Sequence, residues 1–390
     1  MEGLCSNQTN FKKWGLAMDE KIIKETGKLG FGLMRLPHKG LAIDVEQTAK
    51  MVDMFIDAGG TYFDTAHVYP GSEVAAKKAL VERYSRGSYT LATKLNASML
   101  AVSATEKMAK KQFETSLERT GAGYFDYYLL HALDGKNCKR YEKFGIWDFV
   151  KRKKEQGLIR HMGFSFHGTP EVLETILTEH PEAEFVQLQI NYADWENKSV
   201  QSRANYEVAR KFGKPIVVME PVKGGKLADP PEQVKKLLKD YSPDRSYASW
   251  AIRFVASLDG ILTVLSGMST IGQMKDNLSY MGKFEPFNEE EWAIIGKAMK
   301  IMGEVSDIPC TACSYCTEGC PQKIAIPDIF KAANLQLGRG MLEEAKVAYE
   351  AAAPEGRHAS DCIECGQCES VCPQGIPVIK ELKRAAEMFE

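Results

Sequence analysis

Two runs of cysteines near the C-terminal end of the chain have the spacing that holds iron–sulfur clusters. Each run reads C-x-x-C-x-x-C-x-x-x-C-P. The first run consists of Cys310, Cys313, Cys316 and Cys320, and the second of Cys362, Cys365, Cys368 and Cys372. Three thiolates at this spacing can bind three corners of a four-iron cubane. The sequence therefore predicts two 4Fe-4S clusters.

The fourth cysteine of each run is expected to serve the opposite cluster. The proline after it turns the chain away, so in two-cluster proteins this thiolate ligates the cluster of the other run. The two expected ligand sets are Cys310, Cys313 and Cys316 with Cys372, and Cys362, Cys365 and Cys368 with Cys320. The alternatives are structural zinc, which favours two separated C-x-x-C pairs, and disulfides, which a reducing compartment disfavours. Cys5 and Cys138 belong to neither run.

Four polar side chains follow apolar, strand-like runs in the first third of the chain. Asp64 and Tyr69 lie in FDTAHVYPGSE, Lys94 ends YTLATK, and His131 ends FDYYLLH. Taken singly, the Asp, the Tyr and the Lys have ordinary structural interpretations as a helix cap, a packed ring and a solvated cation. Their recurrence at the ends of successive runs indicates a shared site.

The elements that would position these residues form a regular alternation. From about residue 28 to residue 270, short apolar runs alternate with longer helix-like segments such as VEQTAKMVDMFID, which Asp44 precedes as a candidate N-cap. The candidate strands are KLGFGLM, TYFD, YTLATK, FDYYLLH, IRHMGFS, FVQLQIN, PIVVME and GILTVLS. Eight such units, too apolar for a half-exposed sheet, predict an α/β fold with a (β/α)8 TIM barrel, whose strand ends all face one mouth.

These residues, in this order and context, resemble the aldo-keto reductase family, whose barrel reduces carbonyls with a nicotinamide cofactor through an Asp-Tyr-Lys-His tetrad. The resemblance extends over roughly residues 28 to 280. It implies that Tyr69 gives a proton to the carbonyl oxygen while hydride reaches the carbon. The Lys94 ammonium, held by Asp64, would lower the pKa of the phenol from its ordinary value near 10, and His131 would orient the oxygen.

The resemblance also implies cofactor contacts. Ser165 and Gln187 match positions that contact the nicotinamide carboxamide, although a helix cap and a core amide are the alternatives. The motif PVKGGKL, with Lys223 and Lys226, matches a loop that runs over the pyrophosphate. LSGMSTIGQMKDNL is similar to the segment that cradles the adenosine phosphate, and its implied contacts are Ser266, Gly267, Met268, Ser269, Gln273 and Asn277.

Departures from the family pattern leave the choice between NADP(H) and NAD(H) open. Many members carry basic residues where this chain has Gly267 and Gln273, which reduces the charge pairing expected for a 2′-phosphate. We expect NADP(H), with NAD(H) as the alternative. Pro70 replaces the usual glycine after the tyrosine, and Met219 stands where an aromatic often stacks on the nicotinamide.

A second domain is expected after the barrel. We place the barrel at residues 1–290 and a small, mainly helical domain with both clusters at residues 291–390. The cysteine runs resemble bacterial ferredoxins. The segment between them holds two predicted helices, IPDIFKAANLQL and MLEEAKVAYEAAA, separated by the glycines at 338 and 340. This insert is more similar to the helical ferredoxin domains of respiratory dehydrogenase subunits.

Composition excludes several classes of partner. A net charge of −2 and a pI near 6.4 give no general attraction to nucleic acid or to anionic lipid. No apolar run fits a signal peptide or a membrane span, so we expect a cytoplasmic location. The expected substrate is a small carbonyl compound or alcohol, and the candidate specificity residues are His67, His167, Tyr192 and Trp195.

Three hypotheses remain, because a nicotinamide transfers two electrons as hydride while each cluster changes by one. The first is a nicotinamide-dependent carbonyl reductase whose cluster domain serves a redox partner such as a ferredoxin. The second is an electron-transfer reductase in which the clusters feed a cofactor or substrate at the barrel mouth. A flavin would convert between the two electron counts, but the sequence has no flavin motif. The third is a redox-sensing regulatory protein.

Overall fold

A computed structural model describes residues 26–98, 105–304 and 307–390 of the chain. The described chain divides into two compact units. The first takes the residues up to 190, 201–221 and 252–286, and the second takes 191–200, 222–251 and 287–390. The domain boundary predicted at residue 290 falls inside a helix, Glu289–Glu304, and stays a prediction. The expectations for Cys5 and for the N-terminal segment concern residues outside the described ranges.

Eight parallel strands close into a barrel, which confirms the predicted fold and all eight predicted strands. They are β1 (Leu29–Gly32), β4 (Tyr62–Asp64), β5 (Thr90–Leu95), β6 (Phe125–Leu133), β7 (Ile159–Phe166), β8 (Phe185–Gln189), β9 (Ile216–Met219) and β10 (Ile261–Ser266). The strands β2 (His38–Lys39) and β3 (Ala42–Ile43) form a separate antiparallel hairpin. Strand β1 pairs with both β10 and β4, so the barrel has no open edge.

Large side chains fill the barrel interior. The ring centroids of Tyr62 and Tyr127 lie 5.0 Å apart, and Phe185 meets Tyr127 edge-on at 5.2 Å. Leu129 and Val217 complete the same buried cluster. Because both faces of each strand are covered, the strands are apolar almost throughout, which is the pattern that the sequence displays.

The helices of the chain are α1 (Val45–Asp57), α2 (Ser72–Ala76), α3 (Glu106–Thr120), α4 (Cys138–Lys143), α5 (Ile146–Glu155), α6 (Pro170–Glu179), α7 (Ser202–Lys211), α8 (Glu232–Tyr241), α9 (Tyr247–Ala256), α10 (Ile271–Met281), α11 (Glu289–Glu304), α12 (Tyr315–Glu318), α13 (Ile326–Arg339), α14 (Leu342–Ala352), α15 (Gln367–Ser370) and α16 (Val378–Phe389). Asp44 caps α1, since its side chain accepts a hydrogen bond from the Gln47 amide at 2.9 Å. Thr105 and Thr270 cap α3 and α10 in the same way. None of the described helices is both long and apolar enough to cross a membrane.

The C-terminal part of the chain is helical, as predicted. Helices α13 and α14 form the expected pair between the cysteine runs, and α16 packs against α13. Their buried side chains, among them Ile329, Phe330 and Leu382, form one small core that several cysteines border. A core of this size is commonly reinforced by a bound metal group.

Candidate active site and cluster-binding sites

A buried ion pair lies at the ends of strands β4 and β5. Lys94 Nζ donates to Asp64 Oδ1 at 2.5 Å and to the Thr65 carbonyl oxygen at 2.8 Å. Burial lowers the pKa of Lys94, and the attraction of Asp64 opposes that shift. Burial likewise raises the pKa of Asp64, against the pull of Lys94. Neither side chain is solvated, so the alternative of a solvated strand-end lysine does not apply.

The Tyr69 ring lies close to both this ion pair and His131. Lys94 Nζ is 5.2 Å from the centroid of the Tyr69 ring, and the His131 ring meets it edge-on at 5.7 Å. Tyr69 is 9% exposed and His131 5%, so the group borders solvent without being open to it. The structure thus brings all four members of the predicted tetrad together. Such a group can donate a proton and hold a polar oxygen.

The surroundings of His131 favour the neutral form of its imidazole. Burial lowers the pKa of His131 well below its ordinary value, and the charges of Lys94 and His167 lower it further. Among the described residues, its Nδ1 atom has no hydrogen-bond partner. A buried ring nitrogen without a partner is costly unless a ligand engages the ring, so this atom fits a binding role.

Local contacts that sequence reasoning missed hold His131 in place. The Tyr141 hydroxyl donates to the His131 carbonyl oxygen at 2.6 Å. The next residue, Ala132, has a φ of 54°, in the left-handed region that favours glycine. Its amide donates to Ser165 Oγ at 2.7 Å. No pattern in the sequence marks Tyr141, because its partner lies in another element.

The predicted nicotinamide contacts fit a carboxamide. Gln187 is buried on β8, and its Nε2 lies 3.4 Å from Met219 Sδ. The Gln187 Oε1 atom has no partner within the described part of the chain. Ser165, buried on β7, accepts one hydrogen bond and still has a hydroxyl proton to donate. A carboxamide offers the amide donor and the carbonyl acceptor that these two groups lack.

Both lysines of PVKGGKL have carboxylate partners. Lys223 is 6% exposed and forms an ion pair with Asp194, which also accepts from Asn191 Nδ2 at 2.8 Å. Lys226 pairs with Asp307 at 3.1 Å. These carboxylates neutralise the two charges expected to meet a pyrophosphate. A contact between Lys223 and the pyrophosphate therefore stays a prediction. The backbone amides of the loop are better candidates to donate hydrogen bonds to the pyrophosphate.

The six predicted adenosine-phosphate contacts are largely bonded to one another. Asn277 Nδ2 donates to Ser266 Oγ at 2.6 Å, and the Ser269 amide donates to Gln273 Oε1 at 2.7 Å. Met268 is buried, whereas Gly267 is exposed. These hydrogen bonds fix the turn between β10 and α10, where Gly267 is exposed.

Arg35 lies beside the exposed Gly267 of this turn. A Cβ atom at Gly267 would lie 3.5 Å from Arg35 Cδ, and Ser269 Oγ donates to the Arg35 carbonyl oxygen at 2.6 Å. The Arg35 guanidinium also lies 3.6 Å from Glu220. Sequence reasoning missed this residue, because it follows the first strand while the motif follows the last.

The four candidate substrate residues lie in different environments. Tyr192 and Trp195 are buried at 1% and 4% exposure, while His67 and His167 are partly buried. The His67 Nδ1 atom lies 3.4 Å from Ser116 Oγ and 4.0 Å from Glu73 Oε2. This gives His67 a structural network, and its role in specificity stays a prediction.

The cysteines of the two runs are interleaved in two groups. Each group lines one cavity. The groups are Cys310, Cys313, Cys316 and Cys372 around one cavity, and Cys320, Cys362, Cys365 and Cys368 around the other. Within the described ranges, no three His, Cys, Asp or Glu side chains converge closely enough to hold a single metal ion. The fourth cysteine of each run thus lies with the three leading cysteines of the other.

Burial and neighbouring thiols disfavour the thiolate form of one cysteine in each group. Burial, followed by the nearby Cys313, Cys310 and Cys372 thiols, raises the pKa of Cys316 to about 12. Burial raises the pKa of Cys368 to about 11, with Cys362 contributing. Iron offsets such repulsion between thiolates, so both groups fit a cluster chemically. Cys138 lies outside both groups.

Comparison with known proteins identifies both parts of the chain. The model of the aldo/keto reductase family matches residues 28–300, and that of the 4Fe-4S dicluster domain matches residues 309–376. The chain is 30% identical over 215 residues to the aldo-keto reductase str7 of Strobilurus tenacellus, a match that covers 53% of this chain and 61% of that protein. It therefore spans less than two thirds of that relative.

Two further similarities support the barrel assignment. Methylglyoxal reductase DkgA of Yersinia pestis is 25% identical over 246 residues, which are 62% of this chain and 82% of that protein. The structure of the aldo-keto reductase AKR11C1 from Bacillus halodurans in its holo form superposes with a TM-score of 0.56 at 25% identity, covering 69% of this chain and 91% of that one. The chain therefore belongs to the aldo/keto reductase family and is an oxidoreductase that carries a 4Fe-4S dicluster domain.

Proposed function

We propose that the barrel reduces a small carbonyl compound with a nicotinamide cofactor, and that the dicluster domain binds two 4Fe-4S clusters. The observation that carries the first part is the Tyr69 ring, which lies close to both the buried Lys94–Asp64 ion pair and the His131 ring. A bound nicotinamide would supply hydride to the carbonyl carbon. In balance, the reduced nucleotide, one proton and the carbonyl compound give the oxidised nucleotide and an alcohol.

The proton is the part of this reaction that the chain itself supplies. Tyr69 would donate its phenolic proton to the oxygen as negative charge develops there. The Lys94 ammonium favours the phenolate that results, and Asp64 keeps Lys94 charged and aimed at the ring. His131, neutral and fixed through its backbone, would hold the oxygen by a hydrogen bond. The name of the DkgA relative supports a small, reactive carbonyl as substrate.

The groups around Gln187 and Ser165 support nicotinamide as the hydride source. Their unused acceptor and donor match the two halves of a carboxamide. Arg35 supports NADP(H) over NAD(H), because a guanidinium near this turn can pair with a 2′-phosphate. Its alkyl chain lies beside Gly267, and its guanidinium lies 3.6 Å from Glu220.

We expect replacement of Arg35 with alanine to weaken NADPH binding about tenfold and NADH binding less than about threefold. The difference arises because only NADPH carries the phosphate that a guanidinium pairs with. Dissociation constants from fluorescence titration of both nucleotides measure this effect. Arg83→Ala, which breaks a surface ion pair with Asp53 at 2.8 Å, is the matched loss of a charge elsewhere. If the variant loses the same affinity for NADPH as for NADH, Arg35 does not recognise the 2′-phosphate.

We further propose the interleaved cysteine groups as the ligands of the clusters. The carrying observation is that each cavity is lined by three leading cysteines of one run and the fourth of the other. Each group would hold one cubane through four thiolates. A ferredoxin or a similar one-electron carrier is the proposed partner of this domain.

An anaerobic titration with NADPH and methylglyoxal tests the proposed function. We expect oxidation of NADPH that depends on methylglyoxal and leaves the visible absorption of the clusters unchanged. Bleaching of the clusters by NADPH alone would favour the electron-transfer reductase instead and would require a converter such as flavin. If neither NADPH nor NADH is oxidised by methylglyoxal, acetaldehyde or 4-nitrobenzaldehyde, the proposed reductase activity is wrong.

A further inference from the structure

One loop of the second unit packs directly on the chain that leads into the first cysteine run. This loop, Lys223–Ala228, contains two glycines with positive φ, Gly224 and Gly225. A Cβ atom at Gly224 would lie 2.5 Å from the carbonyl oxygen of Thr311 and 2.7 Å from its Cα. Only glycine allows this approach, so the loop fits closely against the residue that follows Cys310.

The same contact places a cation next to the first cysteine. The Ile308 carbonyl oxygen accepts hydrogen bonds from Lys226 Nζ at 2.7 Å and from the Cys310 amide at 2.8 Å. The ammonium and the amide of a proposed ligand therefore meet at one oxygen atom. Asn334 fixes this peptide from the other side, with Nδ2 2.8 Å from the Ile308 oxygen and Oδ1 2.8 Å from the Ile308 amide.

The ammonium is partly shielded from water. The Lys226 side chain is 23% exposed and its carboxylate partner, Asp307, 25%. Charges in such a position are screened by salt less than charges on an open surface. Asp307 offsets part of the field of Lys226, but the ammonium binds the same carbonyl oxygen as the Cys310 amide, and a positive charge so near favours adding an electron to a group bound at Cys310.

The cysteine group around Cys362 has a different electrostatic setting. Its nearby lysine, Lys383, is 59% exposed and pairs with Glu364 at 2.7 Å. Exposed pairs of this kind contribute little, because water and ions screen them. The two groups thus differ in the burial of the cation beside them.

We propose that Lys226 is a positioning residue that raises the reduction potential of the cluster bound by Cys310, Cys313, Cys316 and Cys372 and sets it apart from the second cluster. The inference rests on the proposed ligation of that cluster. A partly buried ammonium stabilises the one-electron-reduced cluster relative to the oxidised one, since reduction adds one negative charge. The cluster with the higher potential is then the one next to the loop that carries Lys226.

Anaerobic redox titrations followed by electron paramagnetic resonance test this assignment. We expect Lys226→Gln to lower the reduction equilibrium constant of one cluster roughly three- to tenfold, which is about 30 to 60 mV at 59 mV per tenfold change. Lys226→Arg keeps the charge and should restore most of the potential. Lys383→Gln, the matched loss of an exposed lysine, should move neither midpoint by more than about 10 mV.

The Asp307→Asn variant distinguishes the effect of charge on the reduction potential from the effect of losing the ion pair. It breaks the same pair as Lys226→Gln but removes a negative charge, so the potential of the affected cluster should rise. Shifts of the two variants in the same direction, or no shift in either, would overturn the inference. Iron and sulfide are assayed in each preparation. A wild-type chain without 4Fe-4S clusters would overturn the proposed ligation as well, whereas intact clusters with unchanged midpoints would overturn the role of Lys226 alone.

Discussion

Replacement of Tyr69 with phenylalanine is expected to lower the turnover number for methylglyoxal reduction by about 10³-fold. The change removes the hydroxyl of the ring that lies close to Lys94 and His131 and leaves the ring to fill the same space. General acid catalysis typically contributes about 10²- to 10⁴-fold, so its loss falls on the chemical step. Steady-state kinetics with NADPH measure the effect.

The affinity for the nucleotide provides the internal check on that result. Since the phenol acts on the substrate oxygen, the dissociation constant of NADPH should change by less than about twofold. Tyr206→Phe is the matched control, because it removes a hydroxyl that donates to the Asp259 carbonyl oxygen at 2.9 Å, outside the tetrad. Full turnover in the Tyr69 variant, with its clusters intact, would refute the proposed proton donor.

The barrel was predictable because its signal is local. Each strand is a continuous apolar run, and residues such as Asp44 and Thr270 mark helix starts with their own side chains. The tetrad was predictable for a related reason, since the barrel brings the ends of successive strands to one mouth. Knowing that Lys94 ends a strand is enough to place it near Asp64 at the end of the neighbouring one.

The ion pairs that the lysines of the PVKGGKL loop form were not predictable from local sequence patterns. Lys223 lies beside a family motif, yet its partner Asp194 is 29 positions away. Lys226 and Asp307 are 81 positions apart, and neither spacing nor composition connects them. The sequence pattern placed the loop that carries both lysines over a pyrophosphate, because a pattern shows which residues a loop carries and not what packs against it.

The arrangement of the cysteines was predictable only in part. The repeated spacing predicted which thiols share a group, and the structure lines the two cavities with those same sets. What the spacing could not give is the burial of each thiol, since Cys365 is exposed and Cys368 is buried within one group, while the cysteines of the other group are all partly buried.

Removal of the Cys320 thiol is expected to abolish the cluster bound mainly by the second run. Cys320 belongs to the first run in sequence, but it lines the cavity of Cys362, Cys365 and Cys368. With three thiolates left, that site should lose its cubane, and Cys320→Ala should retain about half of the iron of the wild-type chain. Iron and sulfide content and the paramagnetic signals of the anaerobic protein measure this loss.

Double variants identify the lost cluster. If Cys320 and Cys365 serve one cubane, the variant lacking both should retain the same half of the iron as either single variant. The variant lacking Cys320 and Cys313 should retain almost none, because it damages both sites. Cys138→Ala, the removal of a thiol outside both groups, should keep the full content. The reverse result, with half the iron left after loss of Cys320 and Cys313, would mean that each run binds its own cluster and that the shared cavities do not reflect ligation.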